Sequence, residues 1–434
     1  MLYASGRESM KARKHSVGWH KLDNSANIFP LISHKTFSNV FRIAAQLNED
    51  VDPERLQVAL DHTLPEFGNF NFTIRKGIFW YYFEPSNAYL QIQEEALRPC
   101  SHIEKRSRQQ HLIRVVYYKK KIGVELFHAI SDGTGAINFL KALILNYLKL
   151  SAGETLPEPQ PRIKVNTELE DSYRKHYKKG EGEVEKVKKA YRIKGKTLPV
   201  TTIGVIHGYV HLPKLIQHVK SKGVTLTEYL TAVYAWSIHS EALTKKHYKK
   251  PVHVSVPVNL RRFFESTTNM NFFGHITIEV PKQTDDLTFD DLLTEVRRQF
   301  KDQITQEKML RYISKNVALR NNPIIRGLPL FIKNIFVRLI YMDSIKSNTS
   351  TLTNIGKVEL PEPYASEVAN FELLVNTSTL DPIKCGLVAY GENLVVTITS
   401  ILEDTTIQRH FFRKLAEDGA EVVLESNGAF YEIL

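Results

Sequence analysis

Val124-Glu125-Leu126-Phe127-His128-Ala129-Ile130-Ser131-Asp132-Gly133-Thr134-Gly135 is the stretch on which the reading of this sequence turns. Ile122, Val124 and Leu126 share one face of an expected strand, and the two-residue period carries His128 onto that face at the strand's end. The imidazole is therefore expected to point inward. Asp132 to Gly135 breaks the strand, and the nearly continuous apolar run Ala136 to Leu150 reads as a buried helix entered through an Asp or Thr cap. A base at a strand terminus, ahead of a tight turn, is desolvated yet within reach of a ligand. With an ordinary pKa of about 6.5, a neutral imidazole can take a proton from a hydroxyl or amine, typically worth roughly 10²–10⁴ in rate. A lone histidine there is more often a core residue satisfied by a backbone carbonyl. The whole pattern, His-x-x-x-Asp-Gly between strand and helix, is what points to chemistry.

That pattern resembles the His-His-x-x-x-Asp-Gly signature of the chloramphenicol acetyltransferase superfamily. Its members include alcohol acetyltransferases, wax ester synthases, plant BAHD acyltransferases and the condensation domains of nonribosomal peptide synthetases. The resemblance implies that His128 is the general base and that Asp132, its partner in the motif, is mainly architectural. Phe127 stands where the family has its first, less essential histidine. Val256-Pro257-Val258-Asn259-Leu260-Arg261-Arg262, followed by Asn271-Phe272-Phe273-Gly274, is similar to the Pro-Val-Asn-x-Arg strand and Asn/Gly segment of the alcohol acetyltransferase and condensation branches. Leu352-Thr353-Asn354-Ile355-Gly356 resembles the Ser/Thr-Asn-x-Gly strand that faces the catalytic histidine across a tunnel. The three segments keep family order and together span most of the chain.

The implied fold class is α/β (α+β): two chloramphenicol acetyltransferase-like subdomains, each a mixed β-sheet flanked by helices, with a tunnel between them. Gly133 and Arg261 then hold the catalytic turn. A buried Asp132 needs a cationic partner, for which Arg261 or Arg262 is the candidate, with a solvated strand end as the alternative. Thr353 or Asn354 becomes the donor about 3 Å from the tetrahedral oxyanion. No metal is required.

At 434 residues the chain suits two domains of about 200 residues each, and 42% hydrophobic with 24% charged residues is globular composition. The expected division is an N-terminal subdomain 1–165 carrying the motif, a linker 166–198, and a C-terminal subdomain 199–434. The linker follows from Pro157, Pro159 and Pro161 and from the Lys/Glu-rich run Asp171 to Lys189. A net charge of +11 attracts anionic partners, but the cations are scattered and no nucleic-acid module accompanies them. Cys100 and Cys385 form no CxxC and read as reduced thiols. Met1 to Lys14 lacks the apolar core of a signal peptide, and no apolar run is long enough to span a membrane, so a cytoplasmic location is expected.

Along the chain, Val40 to Leu47 alternates as a first strand, and Asp52-Pro53 opens a helix. Phe67 to Phe83 reads as aromatic strands separated by Gly68 and Gly77. Ile113 to Tyr118 and Ile122 to Phe127 read as a hairpin. His207, Tyr209 and His211 alternate onto what reads as an exposed strand face, not a zinc site. Thr225 and Glu228 form a capping-box pattern. Ile324 to Tyr341, apolar but for three cations, is expected to pack at the junction of the halves, with a membrane-surface helix as the alternative. No GxSxG elbow, phosphate loop or dinucleotide fingerprint competes.

The expected activity is that of an acyl-CoA-dependent, alcohol O-acetyltransferase-like enzyme, with acyl-CoA as co-substrate and no cofactor. The expected partners are a small-molecule acceptor and an acyl thioester, with an acyl carrier protein or a peripheral membrane contact also compatible. A freestanding amide-forming condensation enzyme using carrier-bound acyl groups and a non-catalytic binding scaffold are the two other readings.

Overall fold

The structure is a computed structural model that describes residues 18–34, 37–95, 98–104, 110–158, 169–180, 188–244, 250–280 and 287–430. The basic stretch 1–14, Pro159, Pro161 and residues 181–187 of the Lys/Glu-rich run lie outside them.

A five-stranded sheet in the spatial order Val368–Val375, Val40–Leu47, Lys121–Phe127, Ile113–Tyr118, Gln93–Glu94 carries the motif. The expected hairpin is present, turning at Lys119 with φ 48°. Arg42, Glu125 and Arg114 occupy one register across three strands. Glu125, only 2% exposed, takes Arg42 at 2.8 Å and Arg114 at 2.5 Å, so a satisfied ion network lies within the sheet. The helix Gly133–Ser151 buries Phe139, Leu140, Leu143 and Ile144 in the same core. Phe139 stacks on Phe70 at 4.6 Å, and Phe67, Phe72 and Phe83 are buried with them, so the aromatic cluster is core. Residues Gly68–Asn71 form a 3-10 turn where a strand was expected. Phe72–Lys76 and Tyr81–Pro85 do pair, in a small sheet completed by His20–Lys21.

The second sheet has seven strands in the order Phe273–Val280, Val252–Asn259, Ser350–Val358, Ile383–Tyr390, Asn393–Ser400, Gly204–His211, Val422–Ser426. It is mixed: Ser350–Val358 runs parallel to both its neighbours, and the remaining pairs are antiparallel. The helices Leu226–Leu243, opened by the Thr225/Glu228 capping box, Phe289–Gln303 and Thr406–Glu417 share its core. Two sheets flanked by helices is the expected architecture. One strand crosses between them: Val368–Val375, from beyond residue 199, pairs with Val40–Leu47 and completes the first sheet.

One expectation is corrected and another is met in part. The strand Gly204–His211 has a partner on each side, and His207 is buried with Nδ1 2.9 Å from Thr397 Oγ1 and Nε2 3.5 Å from Glu372. Within the strand's histidine face His207 is turned in beside Glu372 of the crossing strand, which also takes Lys121 at 2.8 Å and Tyr209 at 3.3 Å, while His211 at the strand's end stays partly exposed. The segment Ile324 to Tyr341 forms the helices Pro323–Gly327 and Leu330–Ser344, which do meet the first half at Ile78, Trp80 and Phe37, but whose apolar side chains largely face solvent. Lys333 takes the inward position instead, 3.5 Å over the Trp80 ring and bonded to the Phe79 carbonyl at 3.0 Å.

Candidate active site

His128 directly follows the strand Lys121–Phe127, its backbone N–H donating to the Asn39 carbonyl at 2.9 Å. Asn39 adopts φ 51°, a left-handed conformation that asparagine tolerates better than most residues. The ring is half-buried. Phe29 stacks on it at 4.6 Å, and Phe41 and Phe273 flank it at 5.0 and 5.5 Å. Phe127, at the place of the family's first histidine, is fully buried in the core.

Which nitrogen of His128 carries the proton is decided by Asn271. The Asn271 side-chain amide donates to Asp23 Oδ2 at 3.2 Å and the Ala129 carbonyl at 3.4 Å, which leaves Oδ1 to accept from His128 Nδ1 at 3.1 Å. An acceptor at Nδ1 fixes the proton there and leaves the lone pair on Nε2. Asp23 is itself buried, held by the Ala26 N–H at 2.7 Å, and burial pushes its carboxyl up to about 7. Burial likewise lowers the His128 pKa below 6.5, outweighing the Asp132 charge and the Asn271 bond, so the ring is a neutral acceptor at pH 7.

Asp132 fixes the turn in two directions. Oδ1 caps the helix Gly133–Ser151 by accepting from the Thr134 and Gly135 N–H groups, both at 3.1 Å. Oδ2 accepts from Arg261 Nη1 at 2.7 Å and from the Phe272 N–H at 2.8 Å. Arg261 is thus the partner, not Arg262. Its remaining donors reach the carbonyls of Thr268 and Met270 at 2.8 and 2.7 Å, which ties the segment after Asn259 to the motif.

The glycine that the turn requires is Gly135. A Cβ at Gly133 would meet only an Ile355 methyl at 3.4 Å, whereas one at Gly135 would fall 2.2 Å from the Asn269 carbonyl oxygen and 2.2 Å from Ser131 Oγ. Ser131 Oγ donates to that same carbonyl at 2.8 Å, a structural bond rather than a nucleophile's. Gly135→Ala is expected to destabilise the fold by about 1–3 kcal/mol through this overpacking, with Gly133→Ala costing less. Paired thermal melts test it, and equal losses in the two variants would contradict the close approach.

The Ile355 contact also places the strand Ser350–Val358 against the turn. Thr353 and Ile355 alternate onto one face and Asn354 onto the other. Asn354 is engaged there, donating to Thr227 Oγ1 at 2.9 Å and accepting from the Gly356 N–H at 2.8 Å. Of the two expected oxyanion donors, Thr353 is thus the one on the face away from Thr227. Sequence reasoning missed Asn271, Asp23 and His275. Asn271 lay within a recognised string without a stated role. Asp23 had no signal, in a mostly polar stretch. His275 shares a strand face with Phe273, their rings 5.1 Å apart, and is exposed on the same side of the site.

Residues 203–322 match the model of the alcohol acetyltransferase family. Solved structures match over nearly the whole chain. Polyketide synthase associated protein 5 from Mycobacterium tuberculosis shares 13% identity at TM-score 0.58, covering 91% of this chain and 96% of that one. TRI101 of F. sporotrichioides, solved with coenzyme A and T-2, shares 13% at TM-score 0.58, covering 93% and 99%. The first condensation domain of the CDA synthetase shares 13% at TM-score 0.58, covering 94% and 100%. No curated protein matches the sequence. The chain has the chloramphenicol acetyltransferase-like fold shared by acetyltransferases and condensation domains.

Proposed function

We propose that this protein transfers an acyl group from a CoA thioester to an alcohol or amine acceptor, with His128 as general base. One observation carries the reading: a half-buried imidazole whose Nδ1 is held by an oriented Asn271, leaving Nε2 as the acceptor. Nε2 takes the proton of the acceptor hydroxyl as its oxygen bonds to the thioester carbonyl carbon. The carbonyl becomes a tetrahedral oxyanion, for which Thr353 is the candidate donor. Collapse breaks the C–S bond, the imidazolium returns its proton to the departing thiolate, and an ester and free CoA leave. Asp132 and Arg261 do no proton transfer; they hold the turn that aims the ring.

The fold is shared with condensation domains, so amide formation from a carrier-bound thioester is the second reading. Incubation with acetyl-CoA and a panel of alcohols and amines, following thiol release, tests both. Acceptor-dependent release from CoA supports the first reading, and turnover only with carrier-bound thioester supports the second. No release with either leaves a binding scaffold.

The pH profile has a definite sign. Because burial lowers the His128 pKa below 6.5, the neutral base persists into acid. The acid limb of kcat/KM is expected below the ordinary histidine range, and a limb centred above 6.5 would assign the titration to another group.

A further inference from the structure

We infer that the face formed by the helices Pro323–Gly327 and Leu330–Ser344 docks on an anionic lipid surface. Surface helices normally turn their apolar stripe toward the core; Leu330–Ser344 does the reverse. Phe331, Ile335, Phe336, Leu339 and Ile340 recur at helical spacing, and with Ile324 each is 56–75% exposed, while Lys333 points inward. The turn bearing Ile78 and Phe79 joins this face, since the Ile78 carbonyl accepts from the Leu330 N–H at 2.8 Å and both side chains are exposed. Contiguous exposed apolar surface of this kind marks an interaction site. Among the described residues no helix is long and apolar enough to cross a membrane, so the helix would lie in the interface plane.

Charge selects the occupant. Arg326, Arg338 and Lys346 are exposed on this segment; its one carboxylate, Asp343, pairs with Lys346 at 3.7 Å and leaves Arg326 and Arg338. Two copies meeting through the same face would oppose like charges, whereas anionic headgroups complement them. The helix also packs on Phe29–Ile32, whose Phe29 stacks on His128. Between the two helices lies a small cleft of about 40 Å³ lined by Ile32, Phe37, Tyr341 and Met342, with Arg338 among its lining residues. If the acyl-transfer reading holds, docking brings a membrane-dissolved acceptor or acyl chain to within a short helix of the base. The docking itself does not depend on that reading.

The test is co-sedimentation of the full chain with phosphatidylcholine vesicles, with and without about 30% phosphatidylglycerol. The wild type is expected to pellet with the anionic vesicles and to be released at about 1 M salt, where the screening length falls to about 3 Å. The exposed-face variant Phe336→Asp/Leu339→Asp is expected to lose partitioning by about tenfold or more. Val423→Asp, at an exposed apolar site on the edge of the second sheet, should bind as the wild type does. The inference is overturned if the wild type stays in the supernatant, if the double variant pellets equally, or if the substitutions only dissociate a dimer. Thiol release from acetyl-CoA with a water-soluble acceptor reads the acyl-transfer proposal separately.

Discussion

Replacing His128 with alanine is expected to lower acceptor-dependent thiol release by about 10²–10⁴ while the protein stays folded. The range is that of losing a positioned general base. The residual rate would come from binding and from oxyanion stabilisation, which the substitution leaves in place. The half-buried ring is neutral and lies against Phe29, Phe41 and Phe273, so truncation opens space there without stranding a charge. Two controls make the result specific. Asn271→Leu removes the acceptor that fixes the tautomer, and is expected to lower kcat more than it raises KM. Added imidazole should restore part of the His128→Ala rate. Turnover of the alanine variant equal to that of the wild type would end the general-base assignment.

The second large effect is on stability. Arg261→Met is expected to cost about 3–5 kcal/mol, because it leaves Asp132 as a buried carboxylate with only neutral N–H donors. The side chains of the pair are 12% and 5% exposed, so water cannot take over the arginine's role. The loss extends beyond the pair, since the carbonyls of Thr268 and Met270 also lose their donor. Against a typical total of about 5–15 kcal/mol, such a change is visible as a large drop in urea midpoint. Asp132→Asn in the same background should recover part of it by removing the stranded charge. A midpoint for Arg261→Met within error of the wild type would show that the pair does not hold the turn.

Much of the fold was legible because local chemistry and tertiary packing agree. Asp52-Pro53, the Thr225/Glu228 box and the apolar run after Asp132 each specify a helix start that the packing then uses. The geometry of the candidate site was legible where a motif tied spacing to structure, as in the pairing of Asp132 with Arg261. It was illegible where the chemistry depends on residues far apart in the chain. Asn271 acquires its role only when Asp23, 248 positions away, accepts its amide. Gly135 is required only because the Asn269 carbonyl comes back against it. The orientation of the Leu330–Ser344 helix was illegible for a different reason: periodicity gives a stripe, and only the tertiary position of Lys333 and Trp80 says which side of the stripe faces out.

The crossing strand Val368–Val375 also bears on how this chain is made. Until residue 375 has left the ribosome, Val40–Leu47 is the outermost strand of its sheet, eight residues long, with unsatisfied backbone groups along one side. The polypeptide bearing His128 is thus synthesised well before its sheet can be sealed, and the two lobes mature together rather than one after the other. Cutting the gene at the apparent linker separates a sheet from its own last strand.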